Sequence, residues 1–319
     1  MDHPSLSNFR VSREEISSAF EPFVHRRFRG SDLAWKRRVF RSWRKKILEF
    51  CQQKAFKRLN TSFGGRQQKV KNTYENFWGA TVTGEHLGRT GKTTPCMWGE
   101  ERMFARGIGT KRVHLLLLKK ALEALKPQSV LEVGSGYGVN LFVLSGYFPE
   151  IRFSGLELTR QGALAAQKIG KTSSLSQDIV EFAPNPLVDP VAHKRIAFYQ
   201  GSAKNLPFAD KSFDVLYTVL ALEAMEEIRH QALRELGRVA KKYVIMIEPF
   251  SDFNERGIRY FYHTSHQYFG GKVAELRGDG LEPQLVFSDM PHKIRLWPAM
   301  VIASPISSPQ GLGIFPLPC

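Results

Sequence analysis

Three glycines at alternate positions, Gly134, Gly136 and Gly138, separate the apolar run Val130-Leu-Glu-Val133 from a helix-forming run that opens at Val139. Glycine there allows a tight turn and a close approach of backbone to ligand, and the N–H groups of the helix that follows favour electron-rich partners. Ser135 lies inside the turn, and the acid Glu132 stands two residues before the first glycine. A nicotinamide-type fingerprint, G-x-G-x-x-G, needs glycine at position 139, which is Val139. The spacing therefore argues against a dinucleotide site of that kind.

Three later segments fall into the same rhythm. Ser154-Gly-Leu-Glu-Leu158 ends the next strand and places Glu157 one strand–helix–strand step after Glu132. Gln200-Gly-Ser-Ala-Lys-Asn-Leu-Pro-Phe-Ala-Asp-Lys-Ser-Phe-Asp214 is a loop running into a fourth strand, and Thr218-Val-Leu-Ala-Leu-Glu-Ala-Met225 closes that strand. With the glycine turn, these segments resemble the class I S-adenosylmethionine-dependent methyltransferases, specifically the broad group with small-molecule acceptors. The resemblance covers roughly 110–250 and extends more loosely to 305.

The resemblance implies S-adenosylmethionine as cofactor. Glu132, Gly134, Ser135, Gly136 and Gly138 would wrap its methionine half, and Glu157 with Leu158 would meet the ribose. A carboxylate at that strand end accepts from ribose hydroxyls, as in dinucleotide folds. Ser202 and Ala203 would border the adenine, and Leu220 the sulfonium. Two departures stand out. Ser202 occupies a place where many members have Asp, and Ala224 replaces a His that often follows the acid at Glu223. Candidate bases are then His263 and His266 in Tyr260-Phe-Tyr-His-Thr-Ser-His-Gln-Tyr-Phe269, three apart and so on one face of a helix. Two histidines without a third ligand make no metal site.

The elements that must position these residues alternate. Strands are expected at 129–133, 152–156, 196–199, 213–218 and 243–247, with helices at 113–125, 140–146, 160–169 and 226–239 between them. A closing antiparallel pair is expected at 283–287 and 299–303. That pattern gives an α/β fold, a Rossmann-like seven-stranded, mostly parallel sheet with an antiparallel last strand. Residues 1–110 read as a basic helical N-terminal extension, 111–305 as the cofactor-binding domain, and 306–319 as an irregular tail. Within the extension, 60–110 reads as loops and short helices.

Charge is divided unevenly. Residues 1–130 hold 27 Lys and Arg against 11 Asp and Glu, whereas 131–319 hold 19 of each. Trp35, Val39, Trp43, Ile47 and Cys51 recur every fourth residue, with Lys36, Arg37, Arg38, Arg41, Arg44, Lys45 and Lys46 around them. This predicts a helix over 33–59 whose aromatic stripe packs on the catalytic domain, or whose basic face meets an anionic membrane surface or RNA. The favoured acceptor is a small molecule or lipid-like metabolite. The alternatives are RNA or a ribosomal component, and a binding module that kept the fold without catalysis. No proline follows Leu220-Ala-Leu-Glu, which argues against amino-methylation of DNA bases. Pro95-Cys96 lies outside the place where a nucleophilic cysteine is needed, and Gly91-Lys-Thr93 lacks the preceding strand of a phosphate loop.

The three cysteines form no C-x-x-C pair, and no apolar run reaches the ~18 residues of a membrane span. Residues 1–10 lack the apolar core of a secretory signal, and Cys319, as the last residue, does not form a prenylation box. A cytoplasmic protein, peripheral at a membrane if the basic helix binds one, is the expectation.

Overall fold

The computed structural model describes residues 5–28, 32–59, 66–81 and 93–306. Ser12 starts α1 (Arg13–Phe20) with the capping box its spacing to Glu15 predicts. Its hydroxyl accepts from the Glu15 amide at 3.1 Å, and the Glu15 carboxylate accepts from the Ser12 amide at 2.8 Å. Strand β1 (Val24–Phe28) follows, and then α2 (Leu33–Leu59), capped by Asp32, whose carboxylate accepts from the amide of Ala34 at 2.7 Å. Trp35 buries against Phe28 and Phe104, Trp43 meets Phe261 edge-on at 5.6 Å, and Phe50 meets the same ring at 5.3 Å. The aromatic stripe thus packs inward. Lys36, Arg37, Arg38, Arg41, Arg44 and Lys45 stay exposed, while Lys46 is only 9% exposed.

The stretch expected to be loops and short helices holds more order. Helix α3 spans Arg66–Thr81, and β2 (Thr93–Trp98) and β3 (Glu101–Arg106) form a hairpin around Gly99 and Glu100. Cys96, Trp98, Met103 and Ala105 are buried from its two strands. The N-terminal region is therefore helical only in part: it builds most of a second, antiparallel sheet. Tertiary pairing accounts for the difference, because Thr93–Trp98 and Glu101–Arg106 carry no clean alternation of apolar and polar residues. Glycine-rich 82–92 lies outside the described residues.

Helix α4 (Gly107–Leu125) is buried along most of its length and ends at Lys126 in left-handed conformation. The expected alternation then appears as β4 (Ser129–Val133), α5 (Val139–Tyr147), β5 (Arg152–Glu157), α6 (Arg160–Gly170), α7 (Gln177–Val180), β6 (Ala197–Gln200), β7 (Phe213–Val219), α8 (Arg229–Val239) and β8 (Ala240–Glu248). Beyond it come α9 (Gly257–His266), β9 (Leu281–Phe287), β10 (His292–Lys293) and β11 (Ala299–Pro305).

The main sheet has the order β6-β5-β4-β7-β8-β11-β9. Its first five strands run parallel, and β11 runs antiparallel to both β8 and β9. The order reverses beside β4, which opens a crevice at the carboxyl ends of β4, β5 and β7. The second sheet, β1-β3-β2-β10, is completed by β10 from the far end of the chain. Asp214 serves the framework, accepting from the Gln128 amide at 2.8 Å with Lys242 at 3.4 Å. Except for Ile306, the tail expected at 306–319 lies outside the described residues. Among those residues no helix is long and apolar enough to cross a membrane.

Candidate functional site

A cavity of about 290 Å³ occupies that crevice. Its floor is the glycine turn. The amides of Gly134 and Ser135 both donate to the Leu156 carbonyl, at 2.8 and 3.0 Å, which ties the turn to β5. Gly134 has φ +80°, and a Cβ there would lie 2.6 Å from the Cβ of Ala221. Gly136, at φ +55°, faces the Trp78 ring, 2.7 Å from where a Cβ would stand. Side chains at either position would close the cavity, which is the physical reason for glycine.

Two carboxylates organise the turn. Glu157 accepts from the Gly136 amide at 2.9 Å through Oε2, and from the Thr159 amide and hydroxyl at 3.0 and 2.6 Å through Oε1. Glu132 is 1% exposed. Its Oε1 accepts from Asn140 Nδ2 at 2.7 Å, while Oε2 is buried without a hydrogen bond, the neighbouring Tyr217 hydroxyl lying outside bonding geometry. Burial pushes the Glu132 carboxyl up to about 8, against the pull of Asn140 and Tyr217. On the far wall, Leu220 is held at φ +51°, where few side chains sit, its amide bonded to the Ile247 carbonyl at 3.0 Å. Glu248 fixes the next residues, accepting from the amides of Ala221 and Leu222 at 2.9 and 3.1 Å, and burial raises it to about 7.

These raised carboxyls carry a sign. A folded-state pKa above the unfolded value means the native chain binds more protons between the two, so stability falls as pH rises through that window. With Glu132 at about 8 and Glu248 at about 7, the chain should melt lower at pH 8.5 than at pH 6, by roughly 5 °C. Glu132→Gln keeps an acceptor oxygen for Asn140 and should remove much of that slope. Equal slopes in both proteins, read by thermal unfolding across pH, would reject this account.

Helix α3 lies over the opening. Tyr74 and Trp78 line the cavity, and Trp78 stands 5.2 Å from the Tyr137 ring. Glu75 pins the helix from outside by accepting from the amides of Arg160 and Gln161, at 3.0 and 3.2 Å, where α6 begins. A carboxylate at a helix N-terminus is favourable both as a cap and to the dipole. Lys111 and His114 of α4 form another wall. Burial lowers Lys111 to about 8 and His114 to about 3, and neither His114 ring nitrogen has a hydrogen-bond partner.

Of the residues singled out in the sequence, Glu132, Gly134, Ser135, Gly136, Glu157, Leu158, Ser202, Ala203 and Leu220 all line this one cavity. Gly138 sits just behind it as the left-handed N-cap of α5. His263 and His266 do not line it. They lie on α9 among Tyr262 and Tyr268, with the His266 ring 5.1 Å from that of Tyr268 and its Nδ1 2.9 Å from the Tyr262 carbonyl. Tyr74 and Trp78 stand out in the sequence only as aromatic anchors, and Lys111 and His114 give no signal, since nothing local says which helix folds over a sheet edge. Glu223, named only for its neighbour, is the near-site acid that sequence reasoning underweighted. It lies between two cavity-lining segments, its Oε2 is buried without a partner, and burial with Glu248 nearby raises it to about 8.

A seven-stranded sheet of this order, with a glycine turn and an acid-ended second strand around one crevice, is the Rossmann-like arrangement expected from the sequence. Residues 131–247 match the family described as "Methyltransferase domain". The chain is 27% identical over 146 residues to the uncharacterized methyltransferase YcgJ of Bacillus subtilis, covering 46% of this chain and 47% of that one. It is 26% identical over 115 residues to norajmaline N-methyltransferase of Rauvolfia serpentina, covering 36% and 33%. The chain thus matches less than half the length of either relative. Among solved structures, YcgJ superposes with a TM-score of 0.43 at 16% identity, over 61% of this chain and 98% of that one.

Proposed function

We propose that the chain transfers the methyl group of S-adenosylmethionine to a small-molecule or lipid-like acceptor. The observation that carries the reading is the convergence of the glycine turn, Glu132 and Glu157 on one cavity. The residues suit the cofactor. The unpartnered Oε2 of Glu132 matches its ammonium group, which would draw that carboxyl back toward the charged form. Oε2 of Glu157, with one protein donor, keeps a lone pair for a ribose hydroxyl. Ser202 and Ala203 would border the adenine, and Leu220 the sulfonium. A small acceptor is supported by the norajmaline relative, whose name is that of an N-methyltransferase.

When bound, S-adenosylmethionine supplies an electrophilic methyl group, open to in-line attack. The chain's part is to hold the acceptor aligned, exclude water and take a proton where the acceptor must lose one. Tyr74 and Trp78 roof the cavity against water. We assign the proton-accepting role to Glu223, which stands between the cavity-lining Ala221 and Ala224, in preference to His263 and His266 on α9.

Calorimetry with S-adenosylhomocysteine tests the cofactor, and labelled-methyl transfer into fractionated cell extract tests the activity and acceptor class. No binding by folded protein would overturn the reading. The roof makes its own prediction. Glu75→Gln loses one charged cap, about 1 kcal/mol, so S-adenosylhomocysteine should leave roughly five times faster with the fold intact. Stopped-flow fluorescence would report it, and an unchanged release rate would detach α3 from the site.

A further inference from the structure

A second cavity, of about 220 Å³, lies between α2, β2 and the segment that begins at β10. Six cations line it: Arg38, Arg41, Lys45 and Lys46 of α2, with Lys293 and Arg295. No carboxylate is among its lining residues. Of the six, Arg38, Arg41, Lys45, Lys293 and Arg295 form no ion pair among the described residues. Two of the cations are placed by one aromatic ring. The Arg295 guanidinium stands 5.3 Å from the Tyr262 ring centroid, and the Lys46 ammonium 4.8 Å from it. Lys46 is almost wholly buried, and burial together with Arg295 lowers the Lys293 pKa.

Like charges gathered in a concave, partly dry space repel one another, and folding opposes that arrangement unless an anion is there to be met. The cavity is also coupled electrostatically to the wall of the first one. The charge of Lys293 is felt at His114 and Lys111, which wall the first cavity, and at Glu223. Arg41, Lys45, Lys293 and Arg295 can together offer arginine forks and ammonium donors to a compact oxyanion, the chemistry that selects phosphate. A concave space of this size suits one compact group better than an extended polymer.

We propose that this cavity binds the phosphate group of the methyl acceptor, so that the substrate class is a phosphate-bearing metabolite or a phospholipid head group. The assignment to the acceptor rests on the methyl-transfer reading above.

The test uses the full chain at low ionic strength, titrated with inorganic phosphate by calorimetry and thermal shift. Lys293→Gln with Arg295→Gln should weaken phosphate at least tenfold and abolish its thermal shift. Arg41→Gln with Lys45→Gln removes two exposed charges where no core packing is involved, and should weaken it about as much. Arg37→Gln with Arg44→Gln, equally basic but outside the cavity, should change it less than twofold. Loss in this control equal to that in the cavity variants, or no saturable phosphate binding, overturns the site. Retention on phosphatidylcholine vesicles containing phosphatidate, displaced by phosphate and lost only in the cavity variants, assigns the anion to a head group. Phosphate binding without vesicle retention assigns it to a soluble acceptor. S-adenosylhomocysteine binding on the same samples reports separately on the methyl-transfer reading. Its presence without phosphate binding overturns the anion site alone, and phosphate binding without it overturns the acceptor assignment.

Discussion

Glu157→Ala should weaken S-adenosylhomocysteine binding by about a hundredfold or more. A hydrogen bond from a ribose hydroxyl to the one lone pair that this buried carboxylate keeps is worth roughly 1.5–3 kcal/mol, and alanine forfeits it together with the contacts that shape the site. The same change deprives the Gly136 and Thr159 amides of their acceptor, so the glycine turn loses the contact that shapes it. Buried amides left unpaired cost about 1–3 kcal/mol each, so melting should fall by several degrees. Glu157→Gln separates the two effects. It keeps one acceptor oxygen, should preserve most of the stability, and should lose roughly tenfold in affinity. Calorimetry beside thermal unfolding measures both. Unchanged affinity in a folded Glu157→Ala protein would remove this residue from the site.

Turnover should rise with pH to about 8 and level off above it, and Glu223→Gln should lower it by about a hundredfold and abolish that rising limb. A base works only when deprotonated, and burial with the Glu248 carboxyl nearby raises Glu223 to about 8 while Lys293 and Arg295 pull it down. The limb therefore lies above the ordinary carboxylate range, with activity at the high-pH side. General-base catalysis contributes typically 10²–10⁴-fold, and the lower end suits a reaction already driven by a reactive donor. The experiment is a pH profile of kcat for the parent and Glu223→Gln, with S-adenosylhomocysteine affinity as control. A profile shared by both proteins would return the role to another group. His263, which burial lowers to about 4, would place its limb near pH 4 instead.

The cofactor half of the site could be read from residues near one another in the chain. A strand end, a glycine turn and a helix start are local events, and Gly134, Gly136 and Glu157 report themselves through the spacing of one strand–helix–strand step. The same holds for the main sheet, where β4 runs from Ser129 to Val133 as its apolar run predicts. The buried interior of a parallel sheet writes itself as continuous apolar segments, and Val130, Leu131 and Val133 are all buried.

The acceptor half could not be read that way. Trp78 faces Gly136 from α3, some 58 positions earlier in the chain, and β10 joins a sheet otherwise built before Arg106. The strands β1, β2, β3 and β10 lack a clean apolar–polar alternation and find their partners only in the folded chain, so no periodicity announces them. The basic helix shows the division most plainly. Its sequence established a cationic face and an aromatic stripe over 33–59, which amphipathic spacing dictates. Only the tertiary structure decided where they go: the stripe packs on α9, and Arg38, Arg41 and Lys45 meet Lys293 and Arg295 across a cavity. Periodicity specifies which residues share a face, because helix geometry is local. What that face meets depends on contacts between segments about 250 residues apart, and these form only when the core closes.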